Sequence, residues 1–262
     1  MKVKIFLDDR APKVPPRELA KAVMEAGMEV GMKDADFGLV VGGDGRFSRY
    51  GRTEDIPLLF IGVRSKSPTG SKAYLAQANH SKMSSVLERM RRGEYRVVEY
   101  PRLEVRLNGK KTGEVFTDAY LERGSESTCI RYRVMVDGSG SSFEEAAIGD
   151  GVVVSTGAGS TGYYSYPDRI RGDWMDPDAF ARIGKDEVGI CHIAPTYTER
   201  TGTGKHPLRY TVPWGSKIRL SLFRKGDARL YGTSDNRAGI RIGIQDEIVI
   251  VPAKKKTKLV TL

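Results

Sequence analysis

The period of the apolar residues changes near residue 95, and that change calls for two differently built parts. Before it, short apolar runs alternate with helical spacing. Residues 3–7 read as a strand. Pro15-Pro16 then opens a helix expected to set Leu19, Val23, Ala26 and Val30 on one face. Runs 39–41 and 58–63 read as buried strands. Ser81 reads as the N-cap of a further helix, in which Met83, Val86, Leu87 and Met90 keep helical spacing until Gly93. This rhythm predicts a parallel sheet covered by helices, with ligands at the carboxyl ends of the strands.

Beyond Tyr95 the period is two. Leu103, Val105 and Leu107 alternate up to Asn108-Gly109, a strong hairpin signal. Ile130, Tyr132, Val134 and Val136 alternate up to Asp137-Gly138, and strands follow at 152–154, 218–222 and 248–251. The expected fold is an α/β N-terminal domain over residues 1–96, then a mainly antiparallel β domain over 97–246. The boundary is expected within 93–100.

Charge narrows the partners. The 262 residues carry 43 Lys and Arg against 33 Asp and Glu, a net charge of +10, which suits polyanions. Nucleic acid fits less well. The basic residues are scattered apart from Arg89-Met90-Arg91-Arg92 and 254–256, and there is no RNP-like aromatic signature or zinc-finger spacing. No apolar run approaches the roughly 20 residues of a membrane span. The N-terminus turns acidic at Asp8-Asp9, unlike a secretory signal. Two cysteines, Cys129 and Cys191, form neither a disulfide framework nor a CxxC pair, so a reducing cytoplasm is the expected location. His80, His192 and His206 are too dispersed for metal spacing, and Cys191-His192 reads as a strand pair.

The most telling motif is Gly42-Gly43-Asp44-Gly45, at the end of the run Leu39-Val40-Val41. Glycines there let backbone approach a ligand, and their N–H groups can face phosphate oxygens. A carboxylate beside a phosphate cradle disfavours plain anion binding and points to chemistry on a hydroxyl. The alternative is a surface turn stabilised by the Asp44 side chain. A second segment, Asp150-Gly151-Val152-Val153-Val154-Ser155-Thr156-Gly157-Ala158-Gly159-Ser160-Thr161-Gly162-Tyr163, again runs a strand into a Gly/Ser/Thr turn.

Together these two segments resemble the NAD kinase family, which carries GGDGT near its N-terminus and a DG-strand-STPTGSTAY segment in its middle. The flanks Ala35-Asp36-Phe37-Gly38, Pro57-Leu58-Leu59-Phe60-Ile61-Gly62-Val63 and Gly70-Ser71-Lys72-Ala73-Tyr74-Leu75 are similar too. Residues 67–74 also echo the middle motif, but lack its preceding Asp-Gly and strand. The resemblance implies a Rossmann-like, phosphofructokinase-like first domain and a C-terminal segment, 247–262, that returns to it.

It also implies transfer of the ATP γ-phosphoryl group to the adenosine 2′-hydroxyl of NAD, with Mg²⁺ riding on ATP and no dedicated protein metal site. Asp44 is then the base, Gly42, Gly43 and Gly45 shape the turn, and Phe47 packs near the adenine. Thr117-Asp118 stands where the family has Asn-Glu; Asp118 would accept from ribose hydroxyls, while Thr117 lacks an amide's paired donor and acceptor. Asp150, Ser155, Thr161, Gly162, Tyr163 and Tyr166 occupy nucleotide-contacting places, with Gly157-Ala158 replacing the family's Pro-Thr. Ser234-Asp235-Asn236 resembles a late Asp-Gly, giving Asp235 a ligand role. Arg46, in place of threonine, reads equally as a phosphate clamp or as a block to the donor pocket. Family sites borrow residues from a neighbour, which implies a homodimer or homotetramer.

Other readings compete. Residues 157–162 formally spell GxGxxG, but Tyr163 to Tyr166 runs into Pro167 where the dinucleotide fingerprint needs a helix. Gly204-Lys205 is followed by His206, which excludes a Walker P-loop. A same-fold kinase for a sugar or other hydroxyl explains the GGDG turn and leaves the middle segment unexplained. A catalytically weak NAD or NADP sensor is the rival from another class, motivated by Arg46, Thr117 and Gly157-Ala158.

Overall fold

The computed structural model describes residues 1–6, 14–64, 71–138, 142–172, 177–236 and 238–262. The chain divides into two compact units, residues 1–100 with 256–262, and residues 101–255. The expected boundary, 96/97, lies four residues before the observed one at 100/101.

In the first unit, β1 (Lys2–Phe6), β2 (Glu29–Val30), β3 (Phe37–Gly42), β4 (Leu58–Gly62) and β5 (Ala78–Asn79) pair in parallel. Helices α1 (Pro16–Glu25), α2 (Asp44–Thr53) and α3 (Met83–Arg91) intervene. All six residues of β3 and all five of β4 are buried. Strands covered on both faces need continuous apolar runs, and both strands have them. Leu19, Ala22 and Val23 of α1 pack with Val86, Leu87 and Met90 of α3 in one core. Two local expectations fail. Val30 leaves the α1 face for the exposed edge strand β2. Asn79, not Ser81, supplies the cap before the third helix, its side chain accepting from Ser81 N at 3.1 Å. Residues 80–82 then form a single 3-10 turn.

The second unit is antiparallel. Hairpin β6 (Arg96–Leu107)–β7 (Lys110–Val115) turns at Asn108-Gly109, whose φ values of 50° and 78° suit that dipeptide. The strands β8 (Asp118–Arg123), β9 (Ile130–Asp137), β10 (Phe143–Gly149), β11 (Gly151–Ser155), β12 (Glu187–Ile193), β13 (Tyr197–Arg200), β14 (Arg209–Pro213), β15 (Lys217–Leu222), β16 (Ala228–Tyr231), β17 (Ile240–Ile242) and β18 (Glu247–Thr261) follow. One layer runs β13-β10-β9-β15-β18, the other β14-β12-β11-β8-β16-β17. Their facing residues, among them Leu121, Val134, Val152, Val154, Ile190, Leu220 and Ile250, form the core. Period-two strands bury one face only, which explains the alternation. The end of β18 belongs to the first unit, where Leu259 pairs in parallel with Leu58 of β4.

The core of the second unit also holds polar side chains. Tyr132 Oη donates to Gly151 O at 2.5 Å and lies 2.8 Å from His192 Nδ1. His192 Nε2 stands 3.2 Å from Glu145 Oε2, and Glu145 also receives Arg200 and Tyr210. Burial opposes ionisation of Glu145, but the bonds from His192, Tyr210 and Arg200 outweigh it and hold its pKa below the ordinary value. His192 is thus part of a satisfied network, as a strand residue rather than a metal ligand.

Candidate functional site

The first unit presents Asp44 at a helix start rather than in a loose turn. Gly42 ends β3, Gly43 is the N-cap, and Asp44 and Gly45 already belong to α2. Asp44 Oδ2 accepts from Ser71 Oγ at 3.1 Å and Oδ1 accepts from Leu75 N at 2.9 Å. Asp44 N donates to the same Ser71 Oγ at 3.1 Å. A β-carbon on Gly43 would stand 2.5 Å from Ser71 Oγ, so only glycine lets residues 71–75 close over this point. The carboxylate is oriented by two donors, and each oxygen keeps a second lone pair for a ligand proton. Residues 65–70, including the first half of the 67–74 echo, lie outside the described residues.

Phe47 behaves differently from expectation. Phe47 is 0% exposed and its ring stacks on Phe60 with centroids 4.5 Å apart. It is a core residue, not an adenine contact, because helical spacing from Asp44 turns it inward onto β4. Arg46 folds back, Nη1 donating to Val41 O at 2.5 Å and its stem lying over Gly42.

The second unit gathers most of the remaining candidates on the outer face of β8 and β11. Alternation puts Asp118, Tyr120 and Glu122 on that face, opposite the core residues Ala119 and Leu121. Ser155 pairs with Asp118 in the β8–β11 register. Thr117 is buried, with its carbonyl accepting from Thr156 N at 2.8 Å, so its contribution is largely backbone. Residues 157–165 then form two 3-10 turns, followed by α4 (Tyr166–Ile170). A Rossmann helix would have followed at once; none does.

That segment lies against β8. A β-carbon at Gly162 would stand 3.2 Å from Asp118 Oδ2. Tyr163 Oη donates to Glu122 Oε1 at 2.9 Å, and Tyr166 Oη donates to His192 O at 2.6 Å. Thr161 O accepts from Arg169 Nη2 at 2.6 Å. Burial pushes the Asp118 carboxyl up to about 7, and no side-chain partner meets it among the described residues.

Asp150 precedes β11, at the opposite end of that strand from Ser155. It is paired with Arg123, Nε to Oδ1 at 3.0 Å. Asp235 sits beyond β16 in an exposed loop.

Sequence reasoning missed four residues here. Arg209 of β14 grips Asp168 of α4 with two bonds of 2.7 Å, fastening the turn segment to the sheet. Tyr120 and Tyr231 stack with centroids 5.2 Å apart. The outer-face alternation in 118–122 was a visible signal for Tyr120; its partner across strands was not.

No family model matches the chain. A NAD kinase of Pyrococcus abyssi is 33% identical over 230 residues, covering 87% of this chain and 73% of that protein. Two further curated NAD kinases align over only 51% and 45% of their length, so the chain spans about half of these relatives. Among solved structures, yeast NADH kinase complexed with NADH superposes with TM-score 0.70 at 15% identity, covering 100% of this chain and 83% of that one. A NAD kinase from Archaeoglobus fulgidus in complex with ATP gives 0.67 at 19%, covering 98% and 92%. At such identities the structural likeness speaks for the fold.

Proposed function

Because this chain belongs to the NAD kinase family, we propose that it phosphorylates the 2′-hydroxyl of the adenosine ribose of NAD(H) with ATP. The observation that carries the reading is Asp44. An aligned carboxylate stands at the N-terminus of α2, just past a buried parallel strand, held by Ser71 and Leu75. The end of a parallel strand and the start of a helix is where phosphates settle. In this reading Asp44 takes the ribose proton as the γ-phosphoryl group arrives, a contribution of roughly 10²–10⁴-fold.

Gly42, Gly43 and Gly45 bring backbone to the phosphates, and Arg46 flanks them. Mg²⁺ would be carried on the ATP phosphates without a dedicated protein ligand, and would there neutralise phosphate charge. The chain's own residues do the positioning. Asp118 accepts from ribose hydroxyls, Ser155, Thr161 and Gly162 shape the turn beside it, Tyr163 and Tyr166 line the base side, Asp235 and the Thr117 backbone complete the contacts, and Asp150, at the other end of β11, serves the site of a neighbouring subunit. The phosphofructokinase-like description of the first unit, a cytoplasmic location and a homodimer or homotetramer belong to the same reading. No helix among the described residues is long and apolar enough to cross a membrane.

A sensor that binds NAD without turnover is the second reading, favoured by the Arg46 side chain folded onto Val41 O. The test is phosphate transfer from ATP with Mg²⁺ to NAD, NADH and a sugar panel. NADP formation that falls at least 100-fold in Asp44→Asn is expected. NAD binding without transfer to any acceptor would decide for the sensor, and transfer to sugars alone would overturn the NAD assignment.

A further inference from the structure

Four tyrosines form a row on the outer face of the second unit. Tyr231 stacks on Tyr120 at 5.2 Å with an interplanar angle of 19°. Tyr120 meets Tyr163 edge-on at 5.4 Å, and Tyr163 meets Tyr166 edge-on at 6.3 Å. The row divides by what the hydroxyls do. Tyr163 spends its proton on Glu122 and Tyr166 on His192 O, so these two are anchored to the sheet. The hydroxyls of Tyr120 and Tyr231 make no hydrogen bond among the described residues, although both side chains are only half-buried.

Their positions are set by register, not by loop chance. Tyr231 pairs directly with Tyr120 across β16 and β8, which brings the rings together. Asp118 lies two residues from Tyr120 on the same face, with no side-chain hydrogen bond among the described residues. Two stacked phenols and a carboxylate border the Thr161–Tyr163 turn.

We propose that Tyr120 and Tyr231 are a stacking platform for a ribose-linked heteroaromatic ring of the dinucleotide, with Asp118 accepting from the attached ribose. The proposal rests on the NAD reading above and adds to it two residues that set affinity for the acceptor. An aromatic ring stacks on a nucleotide ring with little sequence or tautomer demand, and the neighbouring carboxylate supplies the directional contact. Burial and the nearby Asp118 push the Tyr120 phenol up to about 12, so it stays a hydrogen-bond donor at neutral pH.

The test is calorimetric binding of NAD, AMP and nicotinamide mononucleotide to the full-length protein and to Tyr120→Leu, Tyr231→Leu and Tyr120→Phe. Each leucine variant is expected to weaken NAD binding roughly tenfold, with Tyr120→Phe retaining most of the affinity. The mononucleotide whose binding falls in parallel identifies the ring. Tyr231→Trp keeps the sheet covered if a leucine variant fails to fold, and its added indole should be quenched by NAD. Unchanged NAD affinity in folded leucine variants, or no quench at saturating NAD, overturns the platform. Because binding is read without turnover, a wild type that binds NAD and transfers no phosphate defeats the kinase reading and leaves this result standing.

Discussion

Asp118 and Gly162 meet so closely that a β-carbon on the glycine would stand 3.2 Å from Asp118 Oδ2. The carboxylate of β8 and the turn beyond β11 therefore share one small space. In Gly162→Ala the Asp118 carboxyl and the Gly159 carbonyl, each 3.2 Å from the new β-carbon, must give way by a few tenths of an ångström. The expected outcome is a protein that folds normally, binds NAD severalfold more weakly, and regains affinity poorly at any pH. Titration calorimetry beside a melting curve checks it, and wild-type affinity in the alanine variant would show that the contact is idle.

Asp118 also sets a pH dependence. Burial raises its folded pKa to about 7 from 3.8. The folded state therefore holds a proton that the unfolded chain releases between these values. This contribution to stability is complete below about pH 4 and is lost as pH rises through 7. Asp118→Asn should remove that loss, so the melting temperature of the variant should exceed wild type by a few degrees at pH 8 and match it near pH 4. Parallel melting curves across the range would refute the assignment.

Arg209 and Asp168 fasten the turn segment. Burial opposes ionisation of Asp168, yet the Arg209 bonds and the Ala181 N–H more than compensate, placing its pKa below the ordinary carboxylate value. Stability from this pair is present above about pH 4 and lost as pH falls through the folded pKa. Arg209→Ala leaves a nearly buried carboxylate with only the Ala181 N–H as partner and should cost about 3 kcal/mol. Arg209→Lys keeps the charge but loses the two-pronged grip, so it should recover only part of that stability. Denaturant curves at pH 7 and pH 3.5 check both, and a wild-type-like midpoint in Arg209→Ala would exclude the clamp.

Phe47 separates core from contact. It stacks on Phe60 with no exposed surface. Phe47→Leu should lower stability by roughly 1–2 kcal/mol through lost packing while leaving ATP and NAD affinity unchanged. A variant of normal stability and weakened nucleotide binding would restore the adenine role expected from the motif.

The contrast between Asp44 and Phe47 shows how far linear reading reaches. A buried run ending in Gly-Gly-Asp-Gly located β3 and its exit, because a fully covered parallel strand must be apolar throughout. Whether the residues after it form a turn or a helix depended on Ser71 and Leu75, some thirty residues on, closing over Asp44. Once α2 begins at Asp44, its 3.6-residue period carries Phe47 into the core. The cap at Asn79 and the edge strand at Val30 escaped for a similar reason: both are local choices settled by what packs beside them.

The chain alone determined the division into a strand–helix part and an alternating-strand part, the hairpin at Asn108-Gly109, and the two glycine segments. These are properties of period and of backbone freedom, which act over a few residues. Tertiary structure alone decided which side chains meet: Tyr231 with Tyr120, Arg209 with Asp168, Asp118 with Gly162. Those contacts join segments distant in sequence; for Tyr231 with Tyr120 the join is strand register, which follows from burying one face of each sheet against the other.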